Sequence, residues 1–337
     1  MLESSDFAEE LPVENETLSL LTPPPQERLN SWLVEIYGKP VEIVKRNLLR
    51  HRDLSYVERI WLKDALPQTL IYKVVLPPWD VEQELHEHIL IPSVSNSARV
   101  YLSGTYQDTT ALFMEDLGEK SLLDALEGNK ELPNRVGTEL AKLHRAYTYR
   151  IAEVSETGVL RNLLPADFET LAQEIAQELR NWTLVDDAQA EELCQTGKTL
   201  SQVLADEPVS LVHGDLYAEN MLFDNNHLFI IDWSWFTKIS TPILDLATLS
   251  MDHFKNGVLR EHSAELIEAY CAEYSRKQEE IYARLPYAEL LGRLLFLEWL
   301  VERRRRGIMG TTVGPVEILI ESVRAEIAMR YQTCIES

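Results

Sequence analysis

The segment His213-Gly214-Asp215-Leu216-Tyr217-Ala218-Glu219-Asn220 is followed closely by Ile230-Ile231-Asp232-Trp233. It places an aspartate, an asparagine five residues later, and a second aspartate behind a short apolar hairpin. That donor set suits phosphoryl transfer. The transition state is loose, so a site must align acceptor and donor and neutralise charge through metal ions and cations. Magnesium takes hard oxygen ligands, one or two carboxylates plus phosphates and waters. Asp232 ends an apolar strand and fits the carboxylate role, and Asn220 can add an amide oxygen. Asp215 can accept a hydrogen bond from an incoming hydroxyl, the contact that general-base help requires. Each residue alone has a plainer reading: a turn aspartate, a capping asparagine, a structural His213. Their order, with strand, loop and hairpin in place, selects the phosphotransfer reading.

The same stretch resembles the aminoglycoside phosphotransferase and choline kinase-like superfamily, which shares the protein-kinase-like fold. The resemblance lies in His213-Gly214-Asp215, Asn220 and Ile231-Asp232-Trp233. It extends to Asp245-Leu246-Ala247, Leu140-Ala141-Lys142-Leu143-His144 and a hinge-like Phe113-Met114-Glu115-Asp116-Leu117-Gly118. It covers residues 50–300, closely at 213–233 and loosely elsewhere. It implies that Asp215 is the catalytic base, that Asn220 and Asp232 hold Mg2+, that His213 braces the loop, and that the hinge backbone at Glu115, Asp116 and Leu117 binds adenine. ATP is the implied phosphate donor, with GTP an open alternative.

These groups need elements to position them. The implied fold is α+β and bilobal: a small N-terminal antiparallel sheet lobe with one helix, then a larger, mainly helical lobe. Residues 1–24 read as an acidic lead-in, 25–117 as the nucleotide-binding lobe, and 118–337 as the catalytic and substrate lobe. Apolar spacing predicts a helix over 26–37 with Leu29, Trp32, Leu33 and Ile36 on one face. Strands are expected over 57–62, 69–75, 99–103 and 111–114, with a helix over 81–90 and a turn over 104–108. Beyond Gly118 only 221–223 and 228–231 read as strands, joined by the turn Asp224-Asn225-Asn226. Ser121 and Asp124 read as a capping-box variant.

A kinase also needs a cation on the phosphates, usually a strand lysine held by a helix glutamate. Lys73 interrupts the apolar strand Leu-Ile-Tyr-Lys-Val-Val, and a buried lysine must have a partner. Glu84 is the expected partner, with Glu82 and Glu87 on the same helix as alternatives. The phosphate-covering loop should fall at 52–56, where there is no glycine. Ser55 is its candidate phosphate contact. His51-Arg52-Asp53 imitates a kinase catalytic triplet in letters alone, since position 58 is glutamate rather than asparagine.

The acceptor should enter beside the catalytic loop, near Tyr217, Glu219, Trp233, Trp235, Phe236 and Trp299. Aromatic faces and Glu219 would suit an amine or quaternary ammonium alcohol. Packing tryptophans and a solvated Glu219 are the plainer account of the same residues. The cluster Arg303-Arg304-Arg305-Arg306 reads as a solvated helix face.

Bulk properties bound the rest. The 337 residues carry a formal charge of -23, which opposes generic binding to nucleic acid or anionic membranes. No apolar run approaches a membrane span, and the acidic start lacks a signal peptide's pattern. Cys194, Cys271 and Cys334 form no CxxC pair and read as reduced thiols of a cytoplasmic protein. The leading expectation is a kinase acting on a hydroxyl of a small molecule. A catalytically weak nucleotide-binding regulator is the alternative from another class. A protein kinase is a weaker third, lacking Asp-Phe-Gly and Ala-Pro-Glu.

Overall fold

The computed structural model describes residue 21 and residues 24–52, 54–106, 109–126, 129–224, 227–250, 257–311 and 314–336. Of the lead-in expected over 1–24, only Leu21 and Pro24 are described, and both are buried. Helix α1 (Gln26–Tyr37) matches its predicted span. It starts after Pro25 and stops at Gly38, whose left-handed conformation (φ 67°) returns an N–H to the Val34 carbonyl.

Five antiparallel strands follow: β1 (Glu42–Arg52), β2 (Ser55–Lys63), β3 (Thr69–Val75), β4 (Val100–Tyr106) and β5 (Thr109–Glu115). Their spatial order is β1-β2-β3-β5-β4. Strand β1 has no clear apolar alternation because it is a largely exposed edge, so periodicity does not reveal it. Strands β4 and β5 run longer than expected. Gly104 lies within β4, and residues 107–108 of the expected turn lie outside the described residues. Between β3 and β4 lie α2 (Glu82–His88) and the short α3 (Pro92–Ser95). One sheet face packs Ile60, Leu70, Tyr72 and Phe113 against Leu29, Trp32 and Leu33 of α1. Trp32 and Phe113 meet edge to face at 5.5 Å.

Beyond Glu115 the chain is mainly helical: α4 (Leu122–Leu126), α5 (Leu132–Tyr149), α6 (Ile151–Glu156), α7 (Phe168–Asn181), α8 (Asp187–Val203), α9 (Ile243–Ser250), α10 (Gly257–Arg260), α11 (Ser263–Tyr274), α12 (Gln278–Arg305) and α13 (Val316–Glu336). Ser121 and Asp124 close the expected reciprocal cap before α4. Two-stranded pairs punctuate the helices: β6 (Ser210–Val212) with β9 (Lys238–Ser240), β7 (Met221–Asp224) with β8 (His227–Ile230), and β10 (Gly310–Thr311) with β11 (Gly314–Pro315). The sequence reading finds β7 and β8, whereas β6 and β9 escape it. Each has three residues, all buried, so no alternation exists to read. Asp224 of the expected turn ends β7, and residues 225–226 lie outside the described residues. A large core spans these helices and both small ladders. No described helix is long and apolar enough to cross a membrane.

The arginine run at the end of α12 is in part the solvated face expected, with Arg305 and Arg306 exposed, and in part a tie to neighbouring helices, with Arg303 buried. Arg304 pairs with Glu317 of α13 at 2.8 Å, and Arg305 with Glu178 of α7 at 2.9 Å. Arg306 pairs with Glu302 at 2.6 Å, and Arg303 is buried over the Trp299 ring.

Candidate active site

The loop that carries Asp215 lies between β6 and β7 and is held by α9. Asp245, in the first turn of α9, is fully buried. Its carboxylate accepts the backbone N–H groups of His213 (2.9 Å) and Gly214 (2.8 Å). His144 of α5 touches the same carboxylate at 3.1 Å and Tyr270 at 3.0 Å. Burial acts to raise the Asp245 carboxyl, but the hydrogen bond and charge of His144 help hold it below the usual range. Gly214 must be glycine. Its φ is +75°, and a Cβ there would stand 2.3 Å from the Phe236 carbonyl oxygen.

His213 is buried, and burial lowers its imidazole below the ordinary value. Its Nε2 lies 3.0 Å from the Ile231 carbonyl, and the Asp215 N–H donates to its Nδ1 at 3.3 Å. A neutral ring with the proton on Nε2 satisfies both contacts. The imidazole thus ties the Asp215 loop to the strand that delivers Asp232. Asn220 makes a second tie. Its amide donates to the Asp215 carbonyl (2.8 Å), and its own carbonyl accepts the Ile231 N–H (2.9 Å). With its NH2 engaged, the Asn220 side-chain oxygen is left for another partner.

Asp232 follows β8 in a left-handed backbone conformation (φ 64°) that few residues other than glycine, asparagine or aspartate adopt readily. One carboxylate oxygen meets Lys73 Nζ at 2.6 Å and the other meets Arg50 Nη1 at 3.1 Å. Burial would raise this carboxyl, but Arg50 and Lys73 hold it well below the usual range. Lys73 sits on the central strand, between Val57 of β2 and Leu112 of β5. Its ammonium also pairs with Glu82 at the start of α2. Glu84, the expected partner, points to solvent near His88. Both are helix glutamates two residues apart, so they face different sides of a 3.6-residue turn. Glu82 faces the sheet and is buried.

These groups border a cleft of about 410 Å3 between sheet and helices. Lys73, Glu82, Arg50 and Asp232 line one part, and Met114, Glu115, Leu117 and Gly118 line the hinge side. Asp116 turns its carboxylate away to Arg59 (2.7 Å), which also reaches the Gly118 carbonyl (2.9 Å). The hinge is therefore clamped from β2. Ser55 is buried at the start of β2 and is not among the residues lining the cleft.

The expected acceptor residues separate. Trp233 is buried, with its ring 4.8 Å from His213 and its N–H donating to the Ile230 carbonyl, so it is a packing residue. Glu219 lines the cleft that holds Lys73 and Asp232. Trp235, Phe236, Phe296 and Trp299 form one aromatic group. Trp235 and Trp299 already carry cations of this chain, Lys238 at 5.4 Å and Arg303 at 4.6 Å. Tyr217 is recessed near Arg293, and burial raises its phenol.

Arg50, Arg59, Glu207 and Lys238 were not singled out in the sequence. Arg59 and Glu207 act in buried ion pairs, the latter with Arg276 and Arg284 at 2.7 Å each. Nothing in local spacing marks Arg50, Arg59 or Glu207, because each of their ion-pair partners is more than 30 residues away.

Among the described residues no cluster of three or more His, Cys, Asp or Glu forms a closed metal cage. Asp232 and Asn220 instead offer one carboxylate and one amide oxygen from neighbouring segments, a hard-oxygen pair of the kind magnesium takes alongside phosphates and water. The residues present thus fit a magnesium-bound nucleotide.

Comparison with known proteins agrees with this geometry. Residues 57–285 match the model of the phosphotransferase enzyme family, and the chain belongs to that family. Protein LicA of Haemophilus influenzae is 29% identical over 100 residues, 28% of this chain and 36% of LicA, so the match spans about a third of that relative. A choline/ethanolamine kinase family protein from Mesorhizobium loti aligns over 91% of this chain and 94% of its own (TM-score 0.60, 16% identity). An ethanolamine kinase of Plasmodium vivax aligns over 98% and 95% (TM-score 0.62, 13% identity). A spectinomycin phosphotransferase solved with ADP and spectinomycin aligns over 94% and 100% (TM-score 0.58, 13% identity). At such identities these structures share the bilobal kinase-like fold with this chain.

Proposed function

We propose that the protein is a magnesium-dependent kinase that transfers the γ-phosphate of ATP to a hydroxyl of a small molecule. The observation that carries this reading is that Lys73, Glu82 and Asp232 meet at one cleft, with Asn220 tying the Asp215 loop to the segment that carries Asp232. Asp232 and the Asn220 side-chain oxygen would hold Mg2+, which neutralises charge on the transferring phosphate. Lys73, fixed by Glu82, would hold nucleotide phosphates. The backbone of Glu115 and Leu117 would receive adenine, with Arg59 and Asp116 fixing its path. Asp215 would accept the acceptor's hydroxyl proton at its carboxylate and orient that oxygen for in-line attack.

For the acceptor, the relatives named as choline/ethanolamine and ethanolamine kinases make amino alcohols the first class to test. Trp235, Phe236 and Trp299, which form one aromatic group, and Tyr217 on the Asp215 loop are the residues to test for acceptor contact. Trp233 drops out because it is buried behind His213. The test is phosphate transfer from Mg·ATP to panels of amino alcohols, aminocyclitols and sugars. Transfer to one class that Asp215→Ala abolishes, in a variant that still binds Mg·ATP, is expected. ATP binding without transfer to any hydroxyl would favour a regulatory nucleotide-binding role.

A further inference from the structure

The phosphate-covering element of this chain is unusually tight. Arg52 of β1 pairs directly with Ser55 of β2, so two residues separate the strands. None of residues 49–57 is glycine. Kinase-like sites normally surround phosphates with a flexible glycine-rich loop and its backbone N–H groups. A two-residue hairpin offers few free amides and little reach. Positive charge at this edge of the cleft has to come from side chains.

Arg50 is placed to supply it. It lines the cleft from β1, its side chain is 27% exposed, and its Nε is buried without a hydrogen-bond partner. Its single contact to Asp232, 3.1 Å from Nη1, is longer than the 2.6 Å contact of Lys73 to the other oxygen. Both Asp232 oxygens are therefore engaged by cations. A metal ion at Asp232 must displace one of them, and Lys73 is the better anchored because Glu82 also holds it. The guanidinium is a planar fork matched to phosphate oxygens, with donors to spare once it leaves Asp232.

We propose that Arg50 is a phosphate-binding residue that changes partners: it leaves Asp232 for the β- and γ-phosphates of the nucleotide as Mg2+ takes its place on the carboxylate. This rests on the kinase reading above. Arg50 then substitutes for the missing glycine-loop amides. It also neutralises Asp232 when no metal is present, so metal and nucleotide enter as a coupled pair.

The experiment is calorimetric titration of wild type, Arg50→Ala and Arg50→Lys with adenosine, and with AMP-PNP in the presence and absence of Mg2+. Mn2+ binding without nucleotide is followed by electron paramagnetic resonance. Arg50→Ala should weaken Mg·AMP-PNP about tenfold or more, with partial recovery in Arg50→Lys, since a charged hydrogen bond is lost. Adenosine affinity should not change. Mn2+ alone should bind Arg50→Ala several-fold more tightly, because Asp232 loses a competing cation. Mg·AMP-PNP affinity within twofold of wild type, or an equal loss for adenosine, overturns the role of Arg50 alone. A wild-type protein that binds no Mg·AMP-PNP overturns the kinase reading with it. Melting curves of both variants separate these outcomes from unfolding.

Discussion

Burial and the neighbouring Asp232 push the Asp215 carboxyl up to about 8, against the pull of Arg50 and Arg52. A general base works only when ionised, so turnover should rise with pH through this ionisation. The acid limb of kcat/KM should therefore lie well above the ordinary carboxylate range and move to lower pH as Mg2+ offsets the charge of Asp232. A profile flat from pH 5 to 9 would show that Asp215 ionisation does not control the rate. Stability follows the same group with the opposite benefit. A carboxyl raised in the folded state stabilises it fully below the unfolded value and loses that contribution as pH rises through about 8. Asp215→Asn should thus reduce kcat by about 10²–10⁴-fold while raising Tm by roughly 2–4 °C near neutral pH. A lowered Tm on differential scanning calorimetry would contradict the buried-charge account. Lys238 follows the same logic with the sign reversed. Burial lowers its ammonium to about 8, so the folded state favours the neutral form and loses stability as pH falls through that value. Lys238→Met should raise Tm at pH 7, and the gain should shrink towards pH 10.

At the scale of elements, the decisive assembly is a strand, a loop and a helix start. Asp245 at the start of α9 takes two N–H groups of the loop between β6 and β7, and Gly214 lets that loop approach Phe236. Asp245→Ala leaves those donors buried without a partner. It should cost on the order of 3 kcal/mol in stability, lower kcat and raise KM for both substrates. Chemical denaturation measures the first and steady-state kinetics the second. Loss of activity with unchanged stability would instead point to a direct part in the reaction. The Asp-Leu-Ala motif was readable in the sequence as a family feature. Its use as a brace was not, because the two hydrogen bonds connect residues 31 and 32 apart. Glu82 and Glu84 teach the same point at shorter range: composition offered both, and the facing of α2 chose Glu82.

The whole molecule depends on contacts that cross from the sheet to the helices. Arg50 and Lys73 belong to the sheet, and Asp232 follows β8 among the helices, so their pairing joins the two across the cleft. A ligand filling that cleft should stabilise the molecule as a unit. At 100 times its Kd, Mg·ATP should add about 2.7 kcal/mol, read as a higher Tm. In Asp232→Asn that increment should largely vanish, while adenosine should stabilise mutant and wild type alike. An undiminished Mg·ATP shift in the mutant would remove Asp232 from the metal site.

Legible in the sequence alone were the α+β class, the ordered series Asp215, Asn220 and Asp232, and the strand lysine Lys73. Those are local patterns: fixed spacings within one loop and hairpin, and a charge interrupting an apolar strand. Tertiary structure decided that Glu82 rather than Glu84 holds Lys73 and that Trp233 packs behind His213. It also decided that Asp116 serves Arg59, and that Arg50 shares Asp232. Those outcomes depend on which side of an element faces the cleft and on partners up to 182 residues apart. Linear spacing carries no information about such partners, because the packing of lobes brings them together.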